Sequence, residues 1–152
     1  MASGIAGAQQ RRLVLGNTVA RATSTLPATT SLTIFNVTGG NVLLTSLVGT
    51  VTTAIQGQAT TITINHTVGA TTTALSTSAG DLNAAVVGSV ASLTGITIGG
   101  SPVNVGAAGA SVCQFVLGAG ALKYTTGATS TGSIRWTLTY VPIDDGAAVT
   151  AA

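Results

Sequence analysis

The feature that most restricts this chain is a two-residue rhythm of apolar and polar side chains, broken by glycine at short intervals. It is clearest at residues 133–141, where Ile134, Trp136, Leu138 and Tyr140 alternate with Arg135, Thr137 and Thr139. Successive side chains of a strand point to opposite faces, so the first four belong to a buried face and the others to solvent. Residues 60–68 repeat the pattern, with Ile62, Ile64, His66 and Val68 on one face and Thr61, Thr63, Asn65 and Thr67 on the other.

Further strands are expected at residues 31–37, 41–48, 50–55, 84–93, 96–98, 112–117 and 121–124. The segment 41–48 is almost continuously apolar and reads as a buried strand. Gly39-Gly40, Gly49 and Gln56-Gly57-Gln58 supply turns between them. Alanine in residues 84–93 would permit a helix, but Val86, Val87 and Gly88 weaken it. Residues 99–109 read as a long glycine-rich loop. Strands at this spacing predict an all-β domain, a sandwich or barrel of roughly eight to ten short strands.

Residues 1–29 differ from the body at 30–152. They hold Arg11, Arg12 and Arg21, three of the five bases. Pro27 holds Leu26 extended. This segment reads as an arm, partly extended, that reaches a partner or a neighbouring subunit.

Composition then removes whole classes of function. Only 5% of residues are charged, no Glu is present, and the net charge is +2. Helical bundles and coiled coils are built largely from Ala, Glu, Lys, Leu and Arg. Nucleic-acid binding needs several cations gathered on one face, so no nucleic-acid partner is expected. Thr, Gly, Asn and Gln interrupt every apolar run before it could span a bilayer as a helix, and aromatics, at 3%, are too few for the girdles of a membrane barrel. No membrane partner and no export signal are expected. A surface of hydroxyls and amides is cheaper to desolvate than one of ions, which suits a subunit packed in an assembly. The alternative is a secreted threonine-rich β domain.

Catalytic chemistry has little to work with. His66 is the one histidine and lies on an apolar face; Cys113 is the one thiol and lies in an apolar run. No Gly-x-Ser-x-Gly elbow, phosphate loop or metal-ligand spacing occurs. No cofactor, no metal and no catalytic residue is therefore expected, and the chain does not read as an enzyme. Asp144-Asp145 before Gly146 reads as a turn after the last strand rather than a cation site. Asn36-Val37-Thr38 and Asn65-His66-Thr67 match the N-glycosylation pattern, which a threonine-rich chain also generates by chance.

Residues 35–49 (FNVTGGNVLLTSLVG), 51–55 (VTTAI) and 134–147 (IRWTLTYVPIDDGA) resemble small β-rich virion proteins of tailed bacteriophages, within a similarity running from about residue 26 to 149. The resemblance implies a capsid decoration (cement) protein: a homotrimer on the outer surface of the head that staples the major capsid protein of neighbouring capsomers. It implies no catalytic residue and no cofactor. Arg11, Arg12 and Arg21 would then be capsid-contacting arm residues. A tail component or receptor-binding tip, with Trp136, Tyr124 and Tyr140 as the candidate sugar-stacking groups, is the alternative placement.

Overall fold

The computed structural model describes residues 7–77, 80–93, 104–106 and 113–152. Their strands form two antiparallel sheets facing one another, an open sandwich rather than a closed barrel. The long central strands are β3 (Ser31–Thr38), β4 (Val42–Thr53), β5 (Thr61–Val68), β11 (Gly120–Thr126) and β12 (Ser133–Pro142). Around them lie α1 (Gly7–Leu15) and short strands: β1 (Asn17–Ala20), β2 (Ser24–Thr25), β6 (Thr71–Ala74), β7 (Gly80–Asp81), β8 (Val90–Ser92), β9 (Asn104–Gly106), β10 (Phe115–Leu117) and β13 (Ala148–Ala151).

The first sheet runs β1-β12-β4-β8-β9, with β2 also on β12 and β10 also on β4. The second runs β13-β3-β11-β5-β6, with β7 also on β5. Edges β1 and β13 approach each other on one flank of the sandwich. Strands β10 and β6 lie towards the other.

The alternating residues of the central strands meet between the sheets. Ile134, Trp136, Leu138 and Tyr140 of β12 are buried, as are Ile62 and Ile64 of β5 and Leu122 and Tyr124 of β11. The Trp136 and Tyr124 rings touch across the core, centroids 5.4 Å apart and tilted by 51°. Such tilted pairs suit the quadrupoles of both rings.

Several expectations change. Residues 41–48 and 50–55 are not two strands joined at Gly49 but the single strand β4. Gly49 pairs with Trp136, and a Cβ there would stand 2.7 Å from Ile134 Cδ1 and 3.0 Å from Trp136 Cζ3. The glycine makes room for an indole rather than turning the chain. The apolar run of β4 is explained by a bulge: Thr139 pairs with Ser46 and Tyr140 with Leu44, which leaves Thr45 as an extra residue. Leu44 and Leu47 consequently both face the core although three positions apart.

Of residues 84–93 only β8 is strand. Ala84 (φ 52°) and Gly88 (φ 90°) turn the chain before it, and Ser89 N–H donates to Val86 O at 3.0 Å. The strand expected at 96–98 lies outside the described residues. Within the loop expected at 99–109, residues 104–106 form β9 on β8, and the remainder lies outside the described residues. Val68, placed on the buried face of β5 by its alternation, is 46% exposed near the strand end.

The segment read as an arm divides at Gly16. Before it, residues 7–15 are helical rather than extended. After it, β1 and β2 join the edge of β12, so residues 17–25 belong to the body.

Candidate interaction surface

The few charged groups show where this surface is closed and where it is open. Asp81 Oδ1 accepts the backbone N–H groups of Thr60 at 2.7 Å and Asn83 at 3.0 Å. Asp144 Oδ2 accepts Asn41 N–H at 2.7 Å, while Ile143 N–H donates to Asn41 O at 2.9 Å. Asp144 thus fastens the turn between β3 and β4 to the turn between β12 and β13. Both carboxylates act as backbone caps.

Arg21 is likewise committed inside the protomer. Its Nε donates to Ala152 O at 2.9 Å and its Nη1 to Ser24 Oγ at 2.5 Å. It links the end of one sheet to the edge of the other, and is a fastening of the body rather than a group held out to a partner. Arg11 and Arg12, by contrast, are exposed on α1.

His66 is buried, with Nε2 3.1 Å from Gly118 O. Burial lowers its pKa, and the Gly118 and Ala121 backbone oppose that shift only in part. Burial pushes the Cys113 thiol up to about 11, against a weaker opposing contribution from the Leu47 backbone. Cys113 is thus held as the thiol, the reverse of what an activated nucleophile requires, while His66 is held as the neutral imidazole. Among the described residues, no three His, Cys, Asp or Glu side chains gather as a metal site would need. No helix among them is long and apolar enough to cross a membrane.

The outer sheet faces are rich in hydroxyls, several of them paired across strands, and also carry Lys123 of β11 and Arg135 of β12. Ser31 and Thr125 hydroxyls meet across β3 and β11 at 2.8 Å, Thr67 and Thr72 across β5 and β6 at 3.0 Å, and Thr18 and Thr139 across β1 and β12 at 3.3 Å. Cross-strand threonine pairs of this kind stabilise a sheet without placing ions on it.

Apolar side chains break this surface at several places, Val86, Val87 and Ile143 included, and two of these places lie on opposite flanks. On one flank α1 carries Val14, 80% exposed, and Leu15, 62% exposed. Gly16 N–H donates to Arg12 O at 3.0 Å and closes the helix, while Gly16 itself (φ 90°) presses against Tyr140 O and the Val141 side chain. A larger residue at that elbow would meet the Tyr140 backbone oxygen at 2.5 Å. Sequence reasoning passed over α1, although Ala8, Gln9, Gln10, Arg11, Arg12 and Leu13 followed by a glycine carry a helix-and-cap signal.

On the other flank a cleft of about 370 Å³ opens between β10 and β6. Leu75, Phe115, Val116 and Leu117 give it apolar walls, and His66, Thr73 and Gln114 give it polar groups. Among the described residues no charged side chain lines it. Val116 is 64% exposed there.

These features define a two-sheet β-sandwich with sparsely charged faces, a projecting helix on one flank and a largely apolar cleft on the other. Compared with known proteins, the chain matches no family model, no curated sequence and no solved structure.

Proposed function

We propose that this chain is a structural, non-enzymatic virion protein that binds the outer surface of a bacteriophage head, as a decoration protein on the major capsid protein. The observation that carries the reading is the pairing of hydroxyls across the outer strands. A face with paired hydroxyls and few charges can be covered by a neighbour at less desolvation cost than a densely charged one. The resemblance of residues 35–55 and 134–147 to small phage virion proteins supports the same assignment.

In this reading Arg11 and Arg12 on α1 meet the shell, and Arg21 does not. A protein that binds only the closed shell stabilises it by mass action, and repeated contacts from a multi-copy subunit add avidity. The test is to image and quantify virions produced with and without this chain. Copies in the hundreds per particle, spread over the head, support the assignment. A handful at one vertex would move the chain to the tail, and none on any particle would refute a virion role. Replacing both Arg11 and Arg12 by alanine should lower head occupancy while the body stays folded. Deletions should stop at residue 16, because removing residues 17–25 strips two strands from β12.

A further inference from the structure

The chain holds five basic residues, and all five lie among the described residues. Three of them are locked into the sandwich. Lys123 lies in β11, whose backbone is paired on both sides, with β3 and with β5. Arg135 lies in β12, paired with β4 on one side and with β1 and β2 on the other. Arg21 donates its backbone N–H to Trp136 O at 2.9 Å, and its side chain holds Ala152 O and Ser24 Oγ. Arg11 and Arg12 are the exception: they are adjacent, exposed and on α1.

Helix α1 is nine residues long, and no other described element packs extensively against it. Helices shorter than about 12–15 residues are marginal in water on their own. Opening α1 therefore costs little, whereas freeing the backbone at Lys123 or Arg135 means taking a central strand out of its sheet. Helical or sheet-paired backbone has to open before a protease can cut it, so cleavage follows the population of the open form. The residue before the scissile bond must also enter a specificity pocket, and a carboxylate at the base of that pocket selects Arg or Lys. For an enzyme of that kind the five bases of this chain reduce to two.

We propose that Arg11-Arg12 is a processing site, where a protease of basic specificity removes the segment before Leu13 and leaves the sandwich whole. Hydrolysis of the Arg12–Leu13 bond consumes one water: its hydroxyl goes to the Arg12 carbonyl carbon and its hydrogen to the Leu13 nitrogen. The cut lies on the helix side of Gly16, so β1, β2 and the Arg21 bridge to Ala152 stay in place. The bond from Gly16 N–H to Arg12 O, which closes the helix, is lost with the released segment. Two bases leave and no acid does, so three bases remain against three acids. The site goes beyond the virion reading and does not depend on it. Where that reading holds, cleavage takes away the arginines that meet the shell and so weakens attachment.

The test digests the folded full-length chain with a low proportion of trypsin, the probe for this specificity. Intact mass should show only products beginning at Arg12 or Leu13, with the far-UV spectrum and urea midpoint of the uncut chain. Cuts after Arg21, Lys123 and Arg135 should appear only once denaturant is added. The Arg11→Gln/Arg12→Gln double variant should remain uncut over the time in which the wild type converts completely. Chain recovered from its native source should include a species beginning at Arg12 or Leu13. An uncut wild type, cleavage of the folded chain at Arg21, Lys123 or Arg135 as fast as at the pair, or native-source chain that never begins at either residue would overturn the proposal. Particle binding of cut and uncut chain is measured separately: equal binding would refute the shell role of Arg11 and Arg12 and leave the processing site standing.

Discussion

Gly49 and Trp136 face each other in register, and their dependence on one another can be measured. A methyl at residue 49 would lie 2.7 Å from Ile134 Cδ1 and 3.0 and 3.1 Å from Trp136 Cζ3 and Cε3. Overpacking of this kind costs about 1–3 kcal/mol. Removing a glycine's freedom from the unfolded chain returns about 0.5–1 kcal/mol. Gly49→Ala should therefore destabilise the protein by a net ~1.5 kcal/mol. In a Trp136→Leu background the indole edge is gone, and Ile134 Cδ1 is a terminal methyl that can rotate aside. The same alanine should then stabilise by ~0.5 kcal/mol, a coupling of about 2 kcal/mol between the two sites.

Trp136→Leu alone should cost ~3 kcal/mol, within the ~5–15 kcal/mol that domains of this kind possess. Urea unfolding followed by far-UV circular dichroism reads all four proteins, because the single tryptophan disappears in two of them. With a slope near ~2 kcal/mol per molar urea, the coupling appears as a midpoint difference of about 1 M. Protomer concentration must be held constant, since association adds to apparent stability. An equal penalty for Gly49→Ala in both backgrounds would refute the claim that this glycine exists to seat the indole.

Three further outcomes follow from the same geometry. Cys113, buried and with its thiol pushed up to about 11, should resist an aromatic disulfide reagent at pH 8 and react fully in denaturant. His66 has a folded pKa below its ordinary 6.5, so its contribution to stability is complete above that value and is lost as pH falls through the folded pKa. Urea midpoints should decline on acidification below 6.5, and His66→Gln should flatten that limb. Arg21→Ala should cost ~1 kcal/mol, as its bonds are partly exposed. It should speed amide exchange in β13 while leaving the amides of β12 protected.

The sandwich was legible wherever alternation ran unbroken. Strand β12 could be read almost to its ends because Ile134, Trp136, Leu138 and Tyr140 keep one phase through to the core. It was obscured where a bulge shifts that phase. In β3, Leu122 pairs with Phe35 and Lys123 with Thr33, so Ile34 is the extra residue and Ile34 and Phe35 are both buried. Two adjacent buried residues carry no period of two. Strands of two to four residues, such as β2, β7 and β13, are too short to show a period at all; their pairing is decided by the neighbour's open edge. The cleft was invisible for a related reason. Leu75 and Phe115 are 40 positions apart, and only the packing of the two sheets brings them together.

The scarcity of charge bears on the edges as well as the faces. Sheets normally guard an open edge with lysine, proline or a covering segment, because unpaired backbone groups invite another strand. The edge strands β1 (NTVA) and β13 (AVTA) carry no charged residue, and they lie side by side on one flank. What stands beside them is the elbow of α1 at Gly16 and the Arg21 bridge to Ala152. A neighbour that covered this flank would shield both edges at once, doing for this chain what lysine or proline does on the edge of a free monomer.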